Sequence, residues 1–380
     1  MRIALLAPFA VYGPKGTARW RTLPLARALA AAGHCVIVVA PPYDRPEHAG
    51  RRWREGEVEV LHVPLAGAGL PHLAQAAGRM AQAALAFRPD LVHAFKPVAA
   101  SGLAAALLLA RPGGPPMVVD ADDWEAGWAA AQGLPAPLRW LTAWQERWVL
   151  RRAKAVTVAS RWLQRRWAAL RGDKATVFYL PNGAETTLPP PPPTRAAGGR
   201  VLLYTRFVEH SPEKVWAVWR RVAAARPDAR LWVAGRGLHR EEATLLRIAE
   251  ADGLAHTVRM LGWLPAISRW GVLAAADLAL LPVADTPLVR AKSPMRLVDL
   301  LAAGVCVVTQ GVGEYAEYVE HGCSGWLAPA GDDAALADGA VQLLADATLR
   351  SRLAAGAVQR VQERYLWRDL VQVAWQAYSG

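Results

Sequence analysis

The sequence predicts an α/β protein built from two doubly wound parallel-sheet domains that face a central cleft. Three observations carry this. Apolar, strand-like runs alternate with helical stretches along almost all of the 380 residues. The alternation breaks once, at "PNGAETTLPPPPPTRAAGGR" (Pro181–Arg200), and then starts again. A chain of this length also suits two domains of roughly 150–200 residues better than one.

"RIALLAP" opens as a buried strand, and a glycine-bearing loop, "VYGPKGTARW", follows it. A helix, "RTLPLARALAAAGH", stops at Gly33 and leads to the strand "CVIVVAP". This strand–loop–helix–strand order is the signature of a parallel sheet. "VEVLHVP" is a strand, "LPHLAQAAGRMAQAALAF" a helix and "PDLVHAF" a strand. A helix, the strand "MVVDA", a helical stretch over Pro137–Ala153 and the strands "AVTVAS" and "ATVFYLPNG" complete the first half. Five consecutive prolines favour a stiff polyproline segment, so residues 186–200 read as a linker between domain 1–185 and domain 201–362. In the second half "VLLYTRF", "ARLWVAG", "VRMLGWLP", "DLALLPV" and "VCVVTQ" are strands separated by helices. Helices end the chain, the last (363–380) returning towards the first domain.

The charge is +12, from 44 Lys and Arg of which only six are Lys. That excess admits nucleic acid, an acidic membrane or a phosphorylated ligand as partner and separates none of them. Three cysteines without a CxxC pair point to a reducing compartment. "MRIALLAPFA" lacks the apolar core of a signal peptide, so a cytoplasmic location is expected. The apolar run Val98–Ala110 falls short of the ~18–20 residues that span a bilayer and reads as a buried helix. With 17 Trp among many Arg, peripheral attachment at the inner membrane face stays open. The basic–aromatic runs "RRW" (Arg51–Trp53) and "RWLQRRW" (Arg161–Trp167) come with no nucleic-acid-binding pattern, and no nucleic acid is expected.

Candidate sites follow from the rule that ligands of open α/β sheets lie at the carboxyl ends of strands. "RAKSPMRLVDLLAAG" follows such a strand, with Ser293 as N-cap and Pro294 as the first residue of a helix. Lys292 and Arg296 flank that start, where the helix dipole opposes cations unless an anion binds between them. Arg206 and Lys214 in "YTRFVEHSPEK" occupy a second strand-end loop and would clamp a phosphate with them. "GPKG" (Gly13–Gly16) departs from the GxGxxG dinucleotide fingerprint and disfavours NAD, while "AGRGLHR" places Gly235 in a tight turn. His93 stands at a strand end as a candidate ligand contact or acid/base group. Asp120 and Asp122 in "VVDADDWE" match the DxD pattern by which one class of sugar transferases holds a divalent metal, and an acidic loop closing the cleft explains them equally. No Ser/His/Asp triad, zinc spacing or Walker loop is present in the sequence.

Taken together, "YTRF…SPEK", "VAG" before its GxG loop, "LGWLP", "AADLALLPV" and "KSPMRLVDLLAAGVCVVTQGVGEYAEYVEHGCSGWL" resemble the retaining family 4 (group 1) glycosyltransferases. The first half is similar more loosely, through its opening unit, "DLVHAF", "AVTVAS" and "LPNG". The resemblance implies the GT-B fold of two Rossmann-like domains, with a sugar transferred from a nucleotide diphosphate without metal or other cofactor. It implies that Arg206 and Lys214 hold the diphosphate, that Asp299 contacts the ribose, and that Lys292, Ser293, Arg296, Gly235 and Glu317 line the donor site. His93 would approach the transferred sugar. The acceptor, whether glycan, lipid-linked or small molecule, would dock on the first domain near Gly13, Lys15, Gly16, Asp122 and Asp123. The family's first glutamate of an E-x7-E pair falls on Ala291. A metal-dependent transferase using Asp120 and Asp122, a catalytically silent GT-B binding subunit and a nucleotide-sugar epimerase are the alternatives.

Overall fold

The computed structural model describes residues 1–13, 16–65, 67, 70–187 and 198–380. Lys15 and most of the proline-rich linker lie outside the described residues. By packing, the chain divides into two units: Met1–Glu185 with Ala291–Ser293 and Trp367–Gly380, and Thr186–Arg290 with Pro294–Leu366.

The first unit opens with β1 (Arg2–Leu6), α1 (Leu23–Ala31) and β2 (Cys35–Ala40). A wide π-helical turn, Ala18–Thr22, precedes α1. Pro24 has no N–H to offer that turn, so the regular helix begins later than the apolar periodicity suggests. Next come β3 (Arg52–Glu55), β4 (Val58–His62), α2 (Leu70–Ala86), β5 (Leu91–Phe95), α3 (Ala99–Leu109) and β6 (Met117–Ala121). α4 (Glu125–Ala131), α5 (Ala136–Arg152), β7 (Ala155–Val158), α6 (Arg161–Arg171) and β8 (Val177–Tyr179) complete the series. The strands order as β3-β4-β2-β1-β5-β6-β7-β8, all parallel except β3. The sequence reading did not foresee β3. Its "RRW" run belongs to an antiparallel edge hairpin, with Trp53 edge-on to His62 at 4.8 Å. Every residue of β5 and β6 is buried, as expected of central parallel strands covered on both faces.

The second unit runs β9 (Arg200–Tyr204), α7 (Pro212–Ala225), β10 (Arg230–Ala234), α8 (Glu241–Ala251), β11 (Val258–Gly262), α9 (Ala266–Ala275) and β12 (Leu278–Leu281). α10 (Pro287–Ala291), α11 (Met295–Ala302), β13 (Val307–Gln310), α12 (Glu314–Tyr318), β14 (Trp326–Ala328), α13 (Asp333–Ala345) and α14 (Ala347–Arg364) follow. Its six-stranded sheet, β11-β10-β9-β12-β13-β14, is parallel throughout. The carboxyl ends of β9, β10 and β12 therefore lie on one edge, where the loops carrying Arg206 and Gly235 begin.

The last helix, α15 (Trp367–Ser379), packs in the first unit: Trp367, Leu370, Val371, Ala374 and Tyr378 join a core that includes Ile3, Leu5 and Val38. Among the described residues no helix is long and apolar enough to cross a membrane.

Candidate functional site

The second unit gathers an unusual amount of positive charge at the end of β9. Tyr204 ends that strand, and the Arg296 guanidinium, on the first turn of α11, lies 5.4 Å from its ring centroid. Arg206, two residues past the strand, lies 5.9 Å from the ring of Trp263. Neither arginine has an ion-pair partner among the described residues, and the buried Nε–H of each lacks an acceptor. Burial, followed by repulsion from Arg296, lowers the pKa of Arg206, with Glu209 offsetting part of it. Two half-buried guanidinium groups that repel one another are costly unless an anion neutralises both.

The backbone is close-packed at this edge. Gly235, the residue after β10, has φ +124°, and a Cβ there would lie 1.7 Å from the Thr205 carbonyl oxygen. Only glycine lets these two strand-end loops approach so closely. Thr205 Oγ1 accepts the Phe207 N–H at 2.6 Å and shapes the turn. Glu209 and His210 are buried beside the cluster, His210 Nδ1 at 2.8 Å from the Pro282 carbonyl oxygen. Asp299 on α11 faces Arg269 at 3.3 Å. Burial raises its pKa to about 6, opposed by Arg269 and then Arg296. Asp299, Arg269 and Arg296 thus form one connected group beside Tyr204.

The other candidates have partners of their own. Lys214, on the first turn of α7, is tied to Asp333 at 2.5 Å, and the same carboxylate oxygen accepts from Gln310 at 3.0 Å. Glu317 lies in α12, its carbonyl fixed by Arg360 and the Tyr365 hydroxyl, both at 2.8 Å. Lys292 and Ser293 pack in the first unit. Lys292 approaches Asp123 at 3.7 Å and the Trp128 ring centroid at 4.6 Å. Ser293 is not the N-cap of α11, since Pro294 takes that place without a side-chain bond. Instead the Ser293 hydroxyl accepts the Asn182 N–H at 3.1 Å, and its carbonyl accepts the Asn182 amide at 2.8 Å. Ala291 is fully buried within an apolar cluster of the first unit.

His93 corrects the sequence expectation most clearly. Its ring is fully buried, with Nδ1 2.9 Å from the Tyr378 hydroxyl and Nε2 3.1 Å from Thr157 Oγ1. Burial lowers its pKa to about 4, so it is neutral at pH 7. It sits mid-strand with its side chain turned into the core, where it cannot reach a sugar. Asp120 is drawn into the same network. Both its oxygens accept from Arg21 at 2.7 Å, and Oδ2 also accepts from Thr157 at 2.6 Å. Its lone pairs are spent on a buried guanidinium and a hydroxyl, so Asp120 does not fit a metal-ligand pair with Asp122.

At the carboxyl edge of the first sheet, Asp122, Asp123 and Glu125 surround a lysine that sequence reasoning passed over. Lys96 Nζ lies 3.0, 2.9 and 2.6 Å from their carboxylates. Burial disfavours its charge, but the three acids outweigh that and raise its pKa well above the usual lysine value. The ammonium draws together three acids whose carboxylate oxygens lie within 4.8 Å of one another. Lys96 follows a strand as many lysines do, and its left-handed φ of 63° cannot be seen in a sequence. Thr17, next to Gly16, donates to Asp122 at 3.2 Å, bringing the β1 and β6 loops together. The Asp44 carboxylate lies against Gly13, 2.1 Å from where a Cβ would be.

Known proteins are similar to this chain in sequence and in fold. Residues 16–183 match the "Glycosyl transferase 4-like domain" family and residues 200–346 the "Glycosyl transferases group 1" family. The chain is 27% identical to a phosphatidyl-myo-inositol mannosyltransferase of Mycobacterium leprae, over 100% of this chain and 96% of that protein. In fold it is similar to sucrose-phosphate synthase from Thermosynechococcus elongatus (TM-score 0.74, 20% identity, 100% of this chain and 98% of that one). It is also similar to Anabaena HepE solved with UDP and glucose (TM-score 0.71, 19% identity, 100% and 99%). With both halves matched in order and the two parallel-sheet units in place, the chain belongs to the family 4 (group 1) glycosyltransferases of GT-B fold.

Proposed function

We propose that this glycosyltransferase takes its sugar from a nucleotide diphosphate donor, with retention and without a metal ion, and passes it to an acceptor held by the first unit. The observation that carries the reading is the pair of half-buried guanidinium groups, Arg206 and Arg296, each with an Nε–H that lacks an acceptor and no ion-pair partner among the described residues, at the carboxyl edge of the second sheet. A diphosphate would satisfy both. As the glycosidic bond breaks, they would stabilise the charge that grows on the leaving phosphate, the work a metal does in other transferases. Asp299 would accept from the ribose hydroxyls, and Gly235 would let the phosphates approach the backbone. The UDP complex of the similar Anabaena protein supports a nucleotide-bearing donor. Ala291 supplies no carboxylate where the family pattern has its first glutamate, which favours attack from the face the diphosphate leaves.

The acceptor reading rests on the loops of Gly13, Gly16, Thr17 and Asp122, which are joined by the Thr17–Asp122 bond. The mannosyltransferase relative, named for a phosphatidyl-inositol, supports a lipid-linked acceptor and with it peripheral contact at the cytoplasmic membrane face.

A thermal-shift screen of UDP-, GDP-, ADP- and dTDP-sugars, each with and without EDTA, tests the donor reading. One nucleotide should raise the unfolding temperature, and the rise should survive EDTA. A rise that needs Mg or Mn would refute the metal-free reading. No rise with any of the donors would refute the diphosphate cradle and favour a silent binding subunit.

A further inference from the structure

We propose that the outer face of α5 docks on an anionic lipid bilayer. The inference rests on the membrane contact proposed above and assigns it a surface; it is independent of the donor cradle.

The second half of α5 is anchored, with Gln145, Glu146, Val149 and Leu150 buried. Its first half is not: every residue of Ala136–Leu141 is exposed. That protruding stretch carries Leu138 (38% exposed), Trp140 (68%) and Leu141 (43%), and Trp144 (48%) follows one turn later. Apolar side chains so open to water are unusual in a helix that otherwise packs normally. Trp140, Trp144 and Trp148 form a ladder at four-residue spacing, with centroids 6.4 and 6.3 Å apart. Arg147, Arg151 and Arg152 line the groove beside it, and Arg152 lies 4.2 Å from the Trp148 ring centroid.

Charge decides the occupant. From Ala126 to Gly172 the sequence has nine basic residues and one acidic residue, Glu146. Glu146 faces inward, where its carboxylate accepts the N–H groups of Glu125 and Ala126 at 2.9 and 3.3 Å. On α5 itself the charged residues other than the buried Glu146 are Arg139, Arg147, Arg151 and Arg152, all basic, around an apolar centre. A second copy of the chain would set these arginines against themselves. A single nucleic-acid strand would use the tryptophans but gain nothing from Leu138 and Leu141. Tryptophan and leucine at the headgroup boundary, ringed by arginines over anionic phosphates, satisfy both halves of the surface.

Topology adds a reason for the position. α5 runs back to the start of β7, so its exposed first half lies towards the carboxyl edge of the sheet. The loops of Asp122 and Thr17 emerge at that edge. A bilayer touching Trp140 would lie on the side of the first unit where a lipid-borne acceptor has to arrive.

The test is co-sedimentation of the full chain with phosphatidylcholine vesicles and with equimolar phosphatidylcholine–phosphatidylglycerol vesicles, without donor. Binding should favour the anionic vesicles and weaken with salt. Trp140→Ser/Leu141→Ser and Arg147→Glu/Arg151→Glu/Arg152→Glu should each lower partitioning about tenfold or more. Arg220→Glu/Arg221→Glu, on exposed positions of α7, should leave it unchanged. Matching unfolding temperatures show that the variants are folded, and the two α5 variants test the face by separate chemistry. Binding that both α5 variants retain overturns this surface but leaves the membrane contact standing. No binding of the parent chain overturns both, while a nucleotide-induced thermal shift would still stand. Displacement of bound vesicles by a single-stranded oligonucleotide overturns the lipid assignment in favour of nucleic acid.

Discussion

Replacing Arg206 with Met separates the two faces of the cationic cradle. The apolar stem keeps its place near Trp263, and only the guanidinium is lost. A charge-assisted hydrogen bond to phosphate is worth about 2 kcal/mol, so donor affinity should fall about 30-fold. At a donor concentration about 100 times the parent Kd, the parent gains about 2.7 kcal/mol, whereas the variant, at only about three times its own Kd, gains about 0.8 kcal/mol. For a unit of this size each kcal/mol moves the unfolding temperature by about 2–4 °C. The donor-induced rise should therefore shrink from about 5–11 °C to about 2–3 °C. Without donor the variant should unfold no earlier than the parent, because the guanidinium it loses is desolvated and repelled by Arg296. Arg296→Met should behave alike, and the double variant should show no donor-induced rise. Calorimetry with and without donor reads both quantities. A full rise in both single variants, or a clear drop in their donor-free stability, would refute the cradle.

Restoring the family's glutamate should harm this chain. Ala291 is sealed in an apolar cluster, so Ala291→Glu buries a carboxylate without a partner and should cost about 3–5 kcal/mol in urea unfolding. Unchanged stability together with tighter donor binding would show instead that the position opens towards the sugar. Glu146 gives a pH signature. Burial, then the neighbouring Glu125, raises its pKa to about 8, against about 4.3 for an unfolded glutamate. The folded state then holds more protons between these values, so this group's contribution to stability falls as pH climbs through that window. Glu146→Gln should flatten that part of the profile of unfolding temperature against pH, and an unaltered slope would count against a protonated Glu146.

Much of the architecture was legible because apolar periodicity reports burial, and burial in a parallel sheet leaves long unbroken strands such as those of β5 and β6. The edge strand β3 was not, because it is half solvated and its arginines read as surface charge. In the donor region, Arg206 and Asp299 were legible from their place after strands and in the family pattern. Arg269 was not, since nothing in "ISRWGV" marks one arginine among so many. His93 and Asp120 misled for a common reason. The sequence places them on adjacent central strands, but only three dimensions show Arg21, Thr157 and Tyr378 closing around them. Lys292 and Ser293 are neighbours of Arg296 in sequence, but the chain changes unit between Ser293 and Pro294, a boundary that no residue pattern marks.

The bond between His93 and Tyr378 spans 285 positions. A nascent first unit leaves the ribosome without the helix that covers part of its core and without the hydroxyl that satisfies its buried imidazole. Contacts so distant in sequence close late. The second unit has only the short stretch Ala291–Ser293 interrupting it and can be complete while the first still waits for α15. In this chain the part synthesised first is therefore finished last, which reverses the usual order of vectorial folding.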